Sequence, residues 1–156
     1  MNRLERVRET VDSLLYRRPD EDVRRCGFVH LYGVSAVSAL LAARRGLDVE
    51  LCATAGMLHD LSSYETGDST DHACRSASRA GELLTEAGGF SPDEISAIAR
   101  AISLHSAKGK VDDALAELLK DADVLQHYLY NPSLENTREA KGRLKALFAE
   151  LGLPRR

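Results

Sequence analysis

The sequence predicts an all-α protein, a single bundle of six or seven helices. Apolar residues recur at spacings of three and four along most of its 156 residues, as they do on one face of a helix. No segment alternates apolar and polar residues like a half-buried strand, and Gly, Pro, Asn and Asp separate the periodic segments. A chain of this length is typical of one domain, so we expect residues 1–156 to form a single helical domain.

The first three predicted helices differ in how they should be buried. Residues 4–14 carry one apolar stripe and predict an amphipathic helix that ends before Pro19. Residues from about 22 to 45 predict a long second helix, with Gly46 in position to end it. Residues from about 49 to 59 are apolar nearly all round, which is typical of a helix in the middle of the core.

The middle of the chain predicts a loop and two further helices. Residues 61–70 are polar, and we expect a loop there. Asp71 is a good N-cap residue for a fourth helix, which should stop at the Gly-Gly pair of residues 88–89. Residues 91–94 read Ser-Pro-Asp-Glu, a capping box with proline at the first helical position, so a fifth helix should begin there.

The last third of the chain predicts two more helices. Residues from about 111 to 130 have helical periodicity and form the sixth. Asn131-Pro132 should restart a seventh helix that ends near Leu151.

The composition argues against several classes of protein. The 21 Lys and Arg against 24 Asp and Glu give a formal net charge of −3, without the basic surplus of proteins that bind nucleic acid polymers. No apolar run approaches the roughly 18 residues of a membrane span, and the N-terminus lacks the apolar core of a signal peptide. The three cysteines form no CxxC pair. We therefore expect a cytoplasmic protein that acts on a small molecule, with neither a nucleic acid polymer nor a membrane as its partner.

Four of the five histidines are predicted to lie at an inward helix face or at a helix end: His30, His59, His72 and His105. Each of them alone is most simply a buried side chain with a hydrogen-bond partner. His59-Asp60, however, closes an otherwise apolar helix, where an acidic residue opposes the helix dipole. Asp60 at this position therefore favours a nearby cation.

Two acidic residues interrupt the apolar stripe of the sixth predicted helix. Asp121 and Asp123 flank Ala122 on opposite sides, and periodicity does not decide which of them turns inward or whether both are solvated. Imidazole and carboxylate together suit zinc, iron, manganese and similar divalent ions. A histidine of the second helix, the His-Asp doublet and a late aspartate would form such a site from three elements.

The order of these residues resembles the signature of the HD-domain superfamily of metal-dependent hydrolases, in which a histidine, a His-Asp doublet and a late aspartate bind metal. The matching residues are His30, His59, Asp60 and Asp123. The surrounding segments, 55–60 and 122–125, look like the superfamily's apolar run into the doublet and its Ala-Asp-x-Leu element. The resemblance spans about residues 23–130. The resemblance implies that Asp123, and not Asp121, is a metal ligand. It also implies that His59 and Asp60 are catalytic.

Some members of the superfamily have two more histidines between the doublet and the last aspartate, and these members bind two metal ions. His72 and His105 resemble those two positions. The resemblance then implies that Asp60 bridges the ions. The cofactor implied is one or two divalent ions, of Mn, Fe, Co, Ni, Zn or Mg.

One departure from the superfamily concerns phosphate binding. Many members continue the doublet with a glycine and a lysine that assists phosphate chemistry, whereas residues 61–63 here are Leu-Ser-Ser. Arg75, Lys108 and Lys110 are candidates to replace that lysine as contacts of a substrate phosphate. An ordinary surface charge is the simpler interpretation of each.

The resemblance implies hydrolysis of a phosphate ester or anhydride in a small phosphorylated metabolite, with a nucleotide as the first candidate. Two other functions agree with the same residues. A few relatives with the six-ligand set hold two irons and use oxygen to cleave carbon–carbon or carbon–phosphorus bonds. A metal-binding regulatory module without turnover would explain the missing lysine.

Overall fold

Eight helices make up the computed structural model, which describes residues 2–154. In chain order they are α1 (Arg3–Tyr16), α2 (Glu21–Arg45), α3 (Val49–Leu58), α4 (Leu61–Thr66), α5 (His72–Ala87), α6 (Pro92–Leu104), α7 (Ala114–Tyr130) and α8 (Arg138–Leu151). Residues 2–154 contain no strand. The all-α prediction is confirmed, and seven of the eight helices are longer than the six-residue α4.

Most helix ends lie where the capping residues predict them. The side chain of Asp20 accepts two backbone N–H hydrogen bonds at the start of α2. Gly46 ends the same helix with a φ of 69°, a conformation that favours glycine. At the start of α6, Ser91 and Glu94 form both hydrogen bonds of a capping box. The local sequence therefore fixes these boundaries.

The predicted loop after the third helix is wrong in its first half. Leu61–Thr66 form the short helix α4, and the connection to α5 is confined to residues 67–71. Leu61 and Ser62 are buried, so this turn packs on the core although most of its other side chains are polar. Gly67, at a φ of 78°, ends the helix.

The last two predicted helices begin later than expected. Asn131 is extended, with φ −149° and ψ 96°, as favoured for a residue that precedes proline. The final helix α8 starts only after Thr137, whose side chain caps it. Helix α7 likewise starts after its N-cap residue Asp113 rather than at about residue 111.

A buried apolar cluster receives side chains from all eight helices, and α3 lies at its centre. Seven of the ten residues of α3 are buried, as its uniformly apolar sequence predicts. Gly56 allows α3 to lie directly on α2, because a Cβ at this position would be 2.9 Å from the backbone N of Ser35. This close contact brings the end of α3 beside His30 of α2.

By length and composition, α2 is apolar enough to cross a membrane. The expectation that no such run exists is therefore wrong. In this fold α2 packs against α1, α3, α4 and α7, and it buries Leu31, Val34 and Leu41. The same composition is typical of the central helix of a bundle.

Candidate metal centre

The His-Asp doublet lies at the junction of α3 and α4. His59 follows the last residue of α3 and is fully buried, and Asp60 is the N-cap residue of α4. Adjacent side chains on a continuous helix diverge by about 100°. Because the chain leaves the helical conformation at Asp60 (φ −117°, ψ 14°), both side chains can enter one site.

Helices α2 and α7 bring two more side chains to the doublet. His30 and Asp123 are each only 7% exposed. His30 Nε2 lies 3.5 Å from Asp60 Oδ2 and 3.6 Å from Asp123 Oδ1. His59 Nε2 lies 3.5 Å and 3.7 Å from the same two oxygens. We call His30, His59, Asp60 and Asp123 the first cluster.

The other carboxylate oxygen of Asp60 faces two further histidines. His105 follows the last residue of α6, and its Nε2 lies 3.2 Å from Asp60 Oδ1. His72 begins α5, and its Nε2 lies 3.6 Å from the same oxygen. We call Asp60, His72 and His105 the second cluster. Asp60 therefore belongs to both clusters, with one oxygen in each.

The turn before His72 has an unusual backbone conformation. Asp71 has a φ of 48°, which is uncommon for a residue other than glycine. It occupies the predicted N-cap position of α5, but its side chain makes no capping hydrogen bond. After this turn, His72 Nδ1 lies 3.2 Å from Ser69 O while its Nε2 faces Asp60.

Hydrogen bonds to Nδ1 determine which ring nitrogen each buried histidine presents to the clusters. His59 and His105 donate Nδ1–H to carbonyl oxygens of the preceding helical turn, at 2.9 and 2.7 Å. His30 donates Nδ1–H to Gln126 Oε1 at 2.8 Å. Because these oxygens only accept, Nδ1 carries the proton, and each neutral ring presents the lone pair of Nε2 to the carboxylates.

This arrangement fits a divalent cation. His30 Nε2 and His59 Nε2 are 3.0 Å apart, and two neutral rings of this tautomer would face each other with lone pairs. Oδ1 of Asp60 and Oδ1 of Asp123 are buried without a hydrogen-bond partner among the described residues. Ligand atoms around one ion, at about 2.0–2.2 Å from it, lie roughly 2.8–3.6 Å apart. The distances of 3.0 to 3.7 Å in the first cluster agree with that spacing.

Both carboxylates are held in the ionised form. Burial alone would raise the pKa of Asp60, but the histidines around it, His59 first and then His105 and His30, outweigh burial and hold this pKa well below its usual range. Burial also opposes ionisation of Asp123, yet the charge of Lys108 is the largest of several effects that keep its pKa low. Asp60 and Asp123 therefore both carry a negative charge at neutral pH.

The pKa values of the two histidines of the first cluster are shifted in opposite directions. Burial, the largest effect, lowers the pKa of His59. Burial would also lower the pKa of His30, but its hydrogen bond to Asp60 and the charge of Asp123 outweigh burial and raise it. The two carboxylates therefore favour a proton on His30 more strongly than on His59.

Gln126 is a site residue that the sequence analysis did not identify. It is buried on α7, three residues after Asp123, and its Oε1 orients His30. Residues three apart lie on the same face of a helix, so the spacing between Asp123 and Gln126 is the one sequence signal for this residue. Gly33 leaves room for this side chain, because a Cβ there would lie 2.8 Å from Gln126 Cγ.

The three candidate phosphate contacts lie in different surroundings. Lys108 donates from Nζ to Asp123 Oδ2 at 2.5 Å, so its charge is directed at a cluster carboxylate. Arg75 instead binds the exposed Asp68 at 2.7 Å. Lys110 is exposed, and the structure shows no bond from its side chain to either cluster. Of these three, Lys108 alone contacts a cluster residue.

The structure also shows which of the two acidic residues, Asp121 or Asp123, enters the site. Asp123 is the acid that turns into the site, whereas Asp121 pairs with Arg45 and Arg143, at 2.8 Å each. His127, one turn after Asp123, places Nε2 3.3 Å from Asp123 Oδ1 while half of its side chain is exposed. His127 therefore lies at the open edge of the first cluster.

An all-α bundle that gathers four histidines and two aspartates at adjoining clusters defines a class of metal-binding helical domain. A family model described as the HD domain matches residues 27–128, a range that contains every residue of both clusters. The chain therefore belongs to the HD-domain family, a family of metal-dependent phosphohydrolases. This confirms the family that the sequence resembles.

A solved structure has the same fold. The crystal structure of a "predicted HD superfamily hydrolase" from an uncultured Thermotogales bacterium matches with a TM-score of 0.60, over 96% of this chain and 87% of that chain. The two sequences are 21% identical, so the likeness shows the fold alone. No curated protein matches the chain.

Proposed function

We propose that this chain is a phosphohydrolase that cleaves a phosphate ester or anhydride of a small metabolite, with a nucleotide as the first candidate. One observation carries the proposal: lone pairs of histidine Nε2 atoms converge on two adjoining clusters with buried carboxylate oxygens that have no hydrogen-bond partner in residues 2–154. The cofactor in this proposal is one or two divalent ions of Mn, Fe, Co, Ni, Zn or Mg, since imidazole and carboxylate ligands suit all of them.

Each cluster would hold one ion, and Asp60 would contribute an oxygen to both. The chemistry that such ions supply when bound is polarisation of a phosphoryl oxygen and a lower pKa for a coordinated water. The protein supplies fixed positions, because His59 and His105 are buried and hydrogen-bonded through Nδ1.

Three side chains have separate roles in the proposed reaction. Asp60 stays ionised because its pKa is low, so it orients a water and stabilises positive charge rather than acting as a base with a pKa near 7. His59 keeps one tautomer because its Nδ1–H is held by Gly56 O. His127 lies at the open edge of the first cluster, and in this proposal it gives a proton to the oxygen of the leaving group.

We further propose that the partner is a small phosphorylated molecule in the cytoplasm, and neither a nucleic acid polymer nor a membrane. The net charge of −3, without a basic surplus, argues against a nucleic acid polymer as the partner. Cys26 and Cys74 are exposed and unpaired, which agrees with a reducing compartment.

A phosphatase screen tests the proposed function. The purified chain is assayed on nucleotides, sugar phosphates and aryl phosphates with each of the six metals supplied separately. We expect metal-dependent release of phosphate, reduced at least about a hundredfold in Asp60→Asn at unchanged helical circular dichroism. A chain that binds metal but hydrolyses none of these compounds would contradict the proposal and leave the regulatory module or the di-iron oxygenase as its function.

A further inference from the structure

A cavity of about 230 Å³ adjoins the first cluster between α2 and α7. His30, Gln126 and His127 form the end of the cavity that is nearest to the cluster. The rest of its wall consists of Cys26, Val29, Tyr64, Tyr130 and Leu134. None of these described lining residues is Lys, Arg, Asp or Glu, so the wall carries no permanent charge.

Several of these apolar side chains are exposed to solvent. Val29, Tyr130 and Leu134 are 41%, 57% and 47% exposed. Covering apolar surface is favourable in proportion to the area removed from water. An apolar wall that ends at a few polar groups is typical of a site for a small molecule.

A second cavity, lined by Asp60 and His72, has a different character. Its volume is about 340 Å³, and its wall includes Asp60, His72 and two serine hydroxyls. Tyr64 lines both cavities, and Gly27 leaves room for its ring, since a Cβ at Gly27 would be 3.1 Å from Tyr64 Cδ1. The clusters thus adjoin two cavities, and among the described residues the second is lined by a carboxylate and the first is not.

We infer that the apolar cavity receives the uncharged part of a phosphate monoester, a flat ring with apolar faces, while the phosphoryl group lies at the clusters. This inference rests on the proposed function. A second phosphate or a carboxylate in the cavity would find no Lys or Arg among the described lining residues, and a buried charge without a partner is costly. The chain therefore prefers aryl or nucleoside monophosphates over sugar phosphates and nucleoside triphosphates.

A comparison of substrates and variants tests this preference. The manganese-loaded chain is assayed on 1-naphthyl phosphate, a nucleoside monophosphate and glucose 6-phosphate. We expect kcat/KM to be at least about tenfold higher for the better ring-bearing ester than for glucose 6-phosphate. Leu134→Asp should raise KM for that ester about tenfold with little change in kcat. Leu129→Asp is the control, because Leu129 is 59% exposed on α7 and does not line the cavity.

A binding measurement separates failure of the inference from failure of the proposed function. Calorimetry measures the Kd of the chain for 1-naphthylphosphonate, a ligand that has no ester bond to cleave. If no ester is hydrolysed but the phosphonate binds and Leu134→Asp weakens it about tenfold, the cavity assignment stands and the hydrolase assignment fails. Equal kcat/KM for glucose 6-phosphate and the ring-bearing esters, or a phosphonate Kd that Leu134→Asp leaves unchanged, would overturn the inference.

Discussion

The orientation of single histidine rings decides whether the two clusters can take an ion. His59 and His105 are oriented by carbonyl oxygens of their own helices, so the helix ends alone fix them. His30 lies within α2 and depends on Gln126 of α7. The sequence could predict the histidines from their positions at helix ends and inner faces. It did not identify Gln126, because a glutamine on an apolar stripe has no motif of its own and its spacing of three from Asp123 is a weak signal.

Gln126→Leu should weaken metal binding about 10- to 100-fold, the usual cost of losing a hydrogen bond that orients a ligand. Gln126→Glu is the matched control, because it keeps an oxygen that can accept the Nδ1–H of His30. Competition with a zinc chelator measures both affinities. Equal affinities of wild type and Gln126→Leu would show that Gln126 does not orient His30.

Metal affinity should fall with falling pH, because a histidine binds metal only in its neutral form. The pKa of His30 is raised, so protons compete for it already above the ordinary value of about 6.5. Asp60 and Asp123 have lowered pKa values and stay ionised over this range. We expect the Kd for zinc to rise at least about tenfold from pH 7.5 to 5.5. A Kd independent of pH over this interval would contradict the assignment of His30.

Lys108→Met should destabilise the metal-free protein by about 2 kcal/mol, because the buried carboxylate of Asp123 loses its cation. Added metal should restore much of this stability, because it supplies the missing positive charge. Lys110→Met removes the same charge from an exposed position of the same connection and should leave the unfolding midpoint unchanged. Urea denaturation with and without a chelator measures the difference, and identical midpoints for the two variants would argue against the role of Lys108.

At the scale of helices, the contact between α2 and α3 brings the two histidines of the first cluster together. Gly56 makes this contact possible, and no Gly-based motif in the sequence predicts it. Caps such as Ser91 predicted the helix boundaries well. The α4 turn was missed because its exposed side chains are polar, although Leu61 and Ser62 are buried against the core.

Gly56→Ala should destabilise the protein by about 1–3 kcal/mol, as overpacking does. The added Cβ would meet the backbone N and Cα of Ser35 at 2.9 Å, and these atoms cannot rotate away. Gly81→Ala, on α5 with nothing within 4 Å, should instead stabilise by about 0.5–1 kcal/mol. Urea denaturation of both variants without metal checks the signs, and a stabilised Gly56→Ala would contradict the close approach of the two helices.

At the scale of the whole molecule, a network of ion pairs holds the connection between α6 and α7. Lys120 is fully buried and donates from Nζ to Lys110 O at 2.9 Å and Asp112 Oδ2 at 2.6 Å. Arg143 of α8 donates to Lys108 O at 2.9 Å. Side chains of α7 and α8 thereby hold the connection that follows His105. Sequence periodicity could not predict this network, because a lysine beside an apolar stripe most often lies at the surface.

Metal stoichiometry tests the proposed two-cluster centre most directly. The full chain and two variants are reconstituted with manganese, and elemental analysis gives the ions per chain. We predict close to two ions in the wild type, one in the His72→Ala, His105→Ala double variant, and a loss of metal in His59→Ala. One ion in both the wild type and the double variant would contradict the second cluster, and metal content unchanged by His59→Ala would contradict the centre as a whole.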